Sequence, residues 1–325
     1  MAVNVAEVRR RLFALLNDSN LVNEYIRQYG PRMDIKHIKK IKEQKASIAM
    51  IGEEGEGKDP IFEIPLTCPV CNQQNLICYE LRAKSQQIVQ SKFLVPVHTG
   101  ALGYRTVDYN MLSISVCPRC LMASSDKKDF IRKSASGPTT IKSQLPNMII
   151  MNLQEKIGER RAFLKSVNDY ASYFRRPRGV DAAIASYRLA MQRASVEALF
   201  EQPYSYYKMG AYALRIAQLI KNSGNDNTQS LQEALTFFEE AFRNSNCPAE
   251  EIEMQVVYSI VALNLKLNNP QKANSYIGVF QNLRNTRAAE MKENPRLSPV
   301  TIDKWYEKAK TLWEDRDMEE LFAYE

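Results

Sequence analysis

The sequence predicts an α+β fold, mostly α: a small β ribbon followed by an antiparallel array of helices. Three observations predict it. Two Cys-Pro-x-Cys stretches, "CPVC" and "CPRC", each adjoin segments that alternate apolar and polar residues. Beyond Asn147 the apolar residues recur at helical spacing almost to the end of the chain. Within those helices, small and aromatic residues return at matching offsets. A length of 325 residues is enough for two or three domains and at least one sizeable core.

Residues 1–60 are read as a basic helical segment and an acidic loop. Val5, Val8, Leu12, Leu15 and Leu16 are spaced for one short helix, and Leu21, Tyr25 and Ile26 for a second. Arg9, Arg10 and Arg11 open a run of cations that continues through "DIKHIKKIKEQK", which reads as the solvated face of an amphipathic element. The "LFALL" after these arginines is too short for a signal sequence, no stretch is apolar for the ~20 residues of a membrane span, and a cytoplasmic protein is expected. The net charge of +7 permits an anionic partner without requiring one.

"GEEGEGKDP" has the Gly-x4-Gly-Lys spacing of a phosphate-binding loop, but the chemistry is wrong. Asp59 stands where Ser or Thr would ligate magnesium, Glu53, Glu54 and Glu56 would repel phosphates, and "PIFEIPLTC" alternates like a strand where a helix is needed. A nucleotide site is excluded.

Residues 61–133 carry the strongest chemical signal. Cys68 and Cys71, with Cys117 and Cys120, form two dithiolate turns, and two such turns complete a tetrahedral four-thiolate site that suits a structural Zn²⁺. The span between them exceeds the usual spacing, so it holds an inserted excursion with strands in "NLICYELRAKSQQIV" and "NMLSISV". A redox dithiol occurs singly at a helix N-terminus, and the matched pair beside strands favours metal. Cys78 reads as a small core residue, Cys247 as inert, and His98, in the excursion and able to approach the metal, as a surface histidine by preference.

"SASGPTTIKSQLP", residues 134–146, is read as a linker that transmits little stability between ribbon and helices. Residues 147–325 are read as helices over Ile149–Phe174, Val180–Leu199, "YYKMGAYALRIAQLIKN", "SLQEALTFFEEAFRN", Glu250–Leu267, Gln271–Leu283 and Thr301–Asp317, with Gly, Asn and Pro at the breaks. Ala183, Tyr187 and Ala190, then Ala234, Phe238 and Ala241, match the second helix of a tetratricopeptide repeat. A looser copy begins at Ala273 and Ile277. The copies lie further apart than the ~34 residues of that repeat. An irregular helical bundle is the alternative.

"CPVC", "DYNMLSISVCPRC" and "YYKMGAYALRIAQLIKN" together resemble a bacterial family, domain of unknown function 2225, over about Ile61 to Leu283. The resemblance implies a paired Cys-Pro-x-Cys ribbon joined to tetratricopeptide-like helices. Members have Gly directly after the second knuckle, where this chain has Leu121.

No dinucleotide fingerprint, zinc-protease helix or nucleophile elbow is present, and His37 and His98 are the only histidines, so no enzyme activity is expected. The reading is a cytoplasmic adaptor that binds a partner protein through its helical array, with Tyr204, Tyr206 and Tyr207 as candidate contact residues. The alternative is nucleic-acid binding, with Arg9, Arg10, Arg11, Arg175, Arg176 and Arg178 as candidate anion contacts.

Overall fold

The computed structural model describes residues 57–134, 137, 139–294, 296–318 and 321–322, the backbone of Glu53–Glu54, and positions 8, 12, 25, 26 and 30. The chain divides into two compact units, Met1–Ile51 and Gly52–Glu325. In the first, Val8, Leu12, Tyr25 and Ile26 are helical, and Leu12 and Tyr25 are buried. The run "DIKHIKKIKEQK" and the candidates Arg9, Arg10 and Arg11 lie outside the described residues.

The second unit is mostly helical, preceded by short antiparallel strand pairs. After β1 (Glu53–Glu54), a strand and not a helix follows Lys58. β2 (Ile61–Leu66) pairs with β3 (Leu76–Leu81), Ile61 opposite Leu81 and Leu66 opposite Leu76. The two-residue period puts Ile61 and Leu66 on opposite faces of β2, yet both are buried. Each serves a different apolar cluster, so the strand links the two. The excursion contains the hairpin of β4 (Gln86–Gln90) and β5 (Pro96–Gly100), then β6 (Thr106–Val107), which pairs with β1. β7 (Ser115–Val116) and β8 (Ala123–Ser124) form the second knuckle's hairpin.

The segment read as a linker folds back onto the ribbon. β10 (Thr140–Ile141) pairs with β9 (Arg132–Lys133), the Ser143 hydroxyl donates to the Asp129 carbonyl at 2.7 Å, and the Gln144 N–H donates to the Lys128 carbonyl at 2.9 Å. Leu145 is buried among ribbon and helix residues.

The helix expected over Ile149–Phe174 is broken into α1 (Asn147–Glu155), α2 (Ile157–Phe163) and α3 (Tyr170–Tyr173). Two side chains account for the breaks. Arg160 Nη2 takes the Leu153 carbonyl at 2.5 Å, and Asp169 Oδ1 accepts from the Ala171 and Ser172 N–H groups, opening a new helix as an N-cap.

The remaining helices are α4 (Val180–Leu199), α5 (Ser205–Asn222), α6 (Thr228–Arg243), α7 (Glu250–Lys266), α8 (Pro270–Glu293) and α9 (Val300–Glu314). Each packs on the next, and α7 also packs on α9. Ala183, Tyr187, Ala190, Ala234, Phe238, Ala241 and Ala273 are all buried at these contacts. The α5–α6 approach is close enough that a Cβ on Gly210 would lie 2.9 Å from the Phe238 ring and force it to shift.

Helix α8 runs ten residues past the expected Leu283. Its apolar stripe ends there, but Arg284 Nε pairs with Asp303 at 2.6 Å and stacks on Tyr306, while Arg287 pairs with Glu250 and Glu290. These charged contacts with α7 and α9 carry no signal in a hydrophobic pattern.

Ribbon and helices share their core. One buried cluster contains Ile61, Tyr79, Val107 and Ile114 together with Tyr187, Tyr212, Val257 and Trp305. The excursion reaches the far helices: Phe93 stacks on Phe322 at 5.6 Å, and Leu94 lines a cleft with Tyr258 of α7 and Leu312 of α9. The segment read as a linker is thus a paired strand and a buried leucine within one compact unit, Gly52–Glu325. Phe93 and Val95, around the turn of the β4–β5 hairpin, are buried in the shared cluster, whereas Ile88, Val89 and Val97 on its strands stay exposed.

Candidate metal centre

Each cysteine pair sits in the turn of an antiparallel hairpin, and the two turns are built alike. The Cys68 N–H donates to the Gln73 carbonyl at 2.9 Å and the Asn72 N–H to the Cys68 carbonyl at 3.0 Å. The Cys117 N–H likewise donates to the Met122 carbonyl at 2.9 Å and the Leu121 N–H to the Cys117 carbonyl at 2.9 Å. β2 and β3 carry the first knuckle, β7 and β8 the second.

The knuckles face each other. Cys68 Sγ lies 3.5 Å from Cys120 Sγ, Cys71 Sγ lies 3.5 Å from Cys117 Sγ, and all four sulfurs fall within 4.8 Å of one another. A tetrahedron with metal–sulfur bonds of about 2.3 Å has edges of about 3.8 Å, so the four sulfurs fit the shell of one metal ion. All four are free thiols, and three of them are buried. Crowding splits their titration. Hydrogen bonds from Cys120 and Cys68 hold the Cys117 thiol far below its ordinary range, while bonding to Cys117 pushes Cys68 and Cys120 up. Four thiolates cannot coexist here without a cation between them.

Arg160 was missed as a site residue. It is 3% exposed, donates Nε to the Cys120 carbonyl at 2.9 Å, and so ties the second knuckle to the break between α1 and α2. Burial pushes its pKa down, while the nearby Cys120, Cys68 and Cys117 favour its charge. Its signal was in the sequence: Ile149, Leu153, Ile157, Arg160 and Leu164 form one helical stripe, and only Arg160 is charged.

Leu121 departs from the glycine that the resemblance places after the second knuckle, and it keeps the left-handed turn at φ 59°, with its side chain fully buried. A left-handed leucine costs about 1–2 kcal/mol, whereas truncating a buried leucine typically costs about 2–5 kcal/mol. Leu121→Gly is therefore expected to destabilise the protein by roughly 1–3 kcal/mol in urea denaturation, despite relieving the backbone. An increase in stability would show that the turn, not the side chain, dominates.

The other expected residues are dispersed. Cys78 is buried beside the centre but outside the four-sulfur group, and burial pushes the Cys247 thiol up to about 11. His98 is buried, contrary to the surface expectation. It lies on β5, its Nδ1 3.9 Å from Asp108 Oδ1, because the excursion packs inward. Tyr207 packs on Phe238 and donates its hydroxyl to Gln255 at 3.2 Å, while Tyr204 and Tyr206 are half-buried at the start of α5. Arg175 is exposed, Arg176 makes a two-pronged pair with Asp59 at 2.6 and 2.9 Å, and Arg178 is buried.

Among the described residues, no helix is long and apolar enough to cross a membrane. Searches of curated proteins and of solved structures found no match to the chain. Residues 61–298 match the model of a family described as "Uncharacterized protein conserved in bacteria (DUF2225)", a stretch that includes all four ligand cysteines, Arg160 and α1 to α8. The chain belongs to the DUF2225 family.

Proposed function

We propose that the protein is a non-enzymatic adaptor of the bacterial cytoplasm, with one structural Zn²⁺ and a helical array that binds a partner protein. The closure of the cysteine site carries this reading. Four protein thiolates fill a tetrahedral shell and leave no position for substrate or an activated water, which a catalytic zinc requires. An all-sulfur donor set favours zinc over magnesium, calcium or manganese, which take oxygen ligands. Unpaired thiols suit a reducing compartment. The sequential packing of α4 to α9, with buried alanines, supports the tetratricopeptide-like reading, and such arrays are platforms for protein partners.

The ribbon covers part of the array: Ser113 bonds Tyr187 at 2.7 Å and Ser125 bonds Tyr212 at 2.9 Å. Partner contact then falls on helix surfaces outside these contacts, including the half-buried Tyr204 and Tyr206. The nucleic-acid alternative is less well supported, since Asp59 engages Arg176 and Arg178 is buried. Of Arg175, Arg176 and Arg178, Arg175 alone is exposed, and Arg9, Arg10 and Arg11 lie outside the described residues.

Protein purified from its own cytoplasm is expected to carry one equivalent of zinc and to retain a protein companion after nuclease digestion. Less than half an equivalent of any metal overturns the structural-zinc reading. Sub-micromolar affinity for generic DNA or RNA at physiological salt, falling steeply as salt rises, replaces the adaptor with the alternative.

A further inference from the structure

A second concentration of positive charge lies in the turn between α3 and α4, and the metal centre does not use it. Arg178 is 4% exposed. Its Nε and Nη2 donate to the Phe174 carbonyl at 3.0 and 2.8 Å, and its Nη1 donates to the Met111 and Ile114 carbonyls at 3.3 and 2.9 Å. The rings of Tyr79 and Phe174 stand 5.9 and 6.0 Å from the guanidinium carbon. These contacts satisfy most of its donors, yet carbonyls and rings bring no net negative charge. Burying a cation without a counter-ion is costly, and burial accordingly pushes Arg178 down to about 10, which leaves it charged at neutral pH.

Arg178 forms part of the wall of a cleft of about 210 Å³, together with Arg175, Tyr170, Phe174, Asn75 and Pro118. Among the described residues, no Asp or Glu lines this cleft. Arg176, the arginine between the two, is instead held by Asp59. The lining thus offers two cations, one of them pre-positioned by four hydrogen bonds, beside three aromatic rings. A volume below the ~300–1,000 Å³ of drug-sized pockets fits a small molecule.

We propose that this cleft binds a small organic anion, a carboxylate or phosphate monoester carried on an apolar body about the size of one ring. The exposed Arg175 supplies the charge-assisted hydrogen bonds, the rigid Arg178 adds its positive charge behind them, and Tyr170 and Phe174 supply the apolar wall. The cleft is independent of the adaptor reading. It does require a folded ribbon, because Pro118 lies inside the second knuckle and Asn75 follows the first.

Calorimetric titration of the full, metal-loaded chain with benzoate, phenyl phosphate, inorganic phosphate and benzyl alcohol tests the proposal. Saturable one-to-one binding of benzoate or phenyl phosphate is expected, with none for benzyl alcohol. The tighter of the two identifies the anionic group. Arg175→Gln, an exposed change that leaves the fold intact, should weaken binding about tenfold or more. Tyr170→Ala should weaken phenyl phosphate but leave inorganic phosphate unchanged. No saturable binding of benzoate or phenyl phosphate at millimolar concentration overturns the proposal. So does binding that Arg175→Gln leaves unchanged, or inorganic phosphate binding as tightly as phenyl phosphate.

Discussion

Chelation of the metal-loaded protein is expected to unfold the helices together with the ribbon. A metal ion held by the four thiolates ties the two knuckles together in this reading. In zinc-finger peptides a site of this kind contributes about 10–16 kcal/mol of apparent binding free energy, as large as the ~5–15 kcal/mol net stability of a whole domain. The cysteines share a buried cluster with Ile149 and Leu153 of α1 and Val196 of α4, and Arg160 hangs from the Cys120 carbonyl. Losing the metal removes the bonds that hold the two knuckles together inside that cluster. Chelation, or Cys117→Ser with Cys120→Ser, should therefore abolish a large part of the far-UV helical signal. Loaded protein should melt Gly52–Glu325 in one transition. A fragment from Asn147 onward, deprived of Ile61, Tyr79, Phe93 and Ile114, should be poorly soluble or melt without cooperativity. Helicity unchanged after elemental analysis confirms metal loss would mean that the helices stand alone.

Arg193→Ala is expected to cost about 3–5 kcal/mol, the usual price of breaking a buried charge network from one side. Arg193 is 1% exposed. Its Nη1 bonds Asp129 Oδ2 at 2.6 Å and Glu197 Oε1 at 2.7 Å, while Lys208 bonds the other Glu197 oxygen at 2.9 Å and the Ser124 hydroxyl donates to Asp129 at 2.5 Å. Asp129 belongs to the ribbon and the other charged groups to α4 and α5, so the network fixes how the two parts dock. Burial already pushes the Asp129 carboxyl up, against the pull of Arg193, and removing Arg193 leaves two carboxylates facing each other. Urea denaturation of the alanine variant measures the loss. Arg193→Met combined with Asp129→Asn and Glu197→Gln should recover much of it, because no orphan charge remains. A loss below about 1 kcal/mol for Arg193→Ala would show that water reaches the network and screens it.

The sequence by itself determined the ligands and the local elements. The Cys-Pro-x-Cys turns are self-contained, since each is closed by hydrogen bonds within six residues, and their pairing follows from the chemistry of four thiolates. The strand Ile61–Leu66 and the helix Val180–Leu199 were legible because local residue order, alternation in the first and small residues at helical offsets in the second, marks them. Rejection of the nucleotide loop rested on Asp59 and Pro60, and the structure puts a strand after them. What only the tertiary structure decided depends on contacts between distant residues. Arg160 broke one expected helix by taking a carbonyl for the metal site, and Arg284 and Arg287 prolonged another through acids on α7 and α9. His98 looked like a surface residue but is buried, and Phe93 and Leu94 of the same excursion meet Phe322, Tyr258 and Leu312, more than a hundred residues away in sequence. Periodicity records which side of an element is apolar; it does not record which element covers that side. The union of ribbon and helices in one core therefore emerged only when the chain was folded.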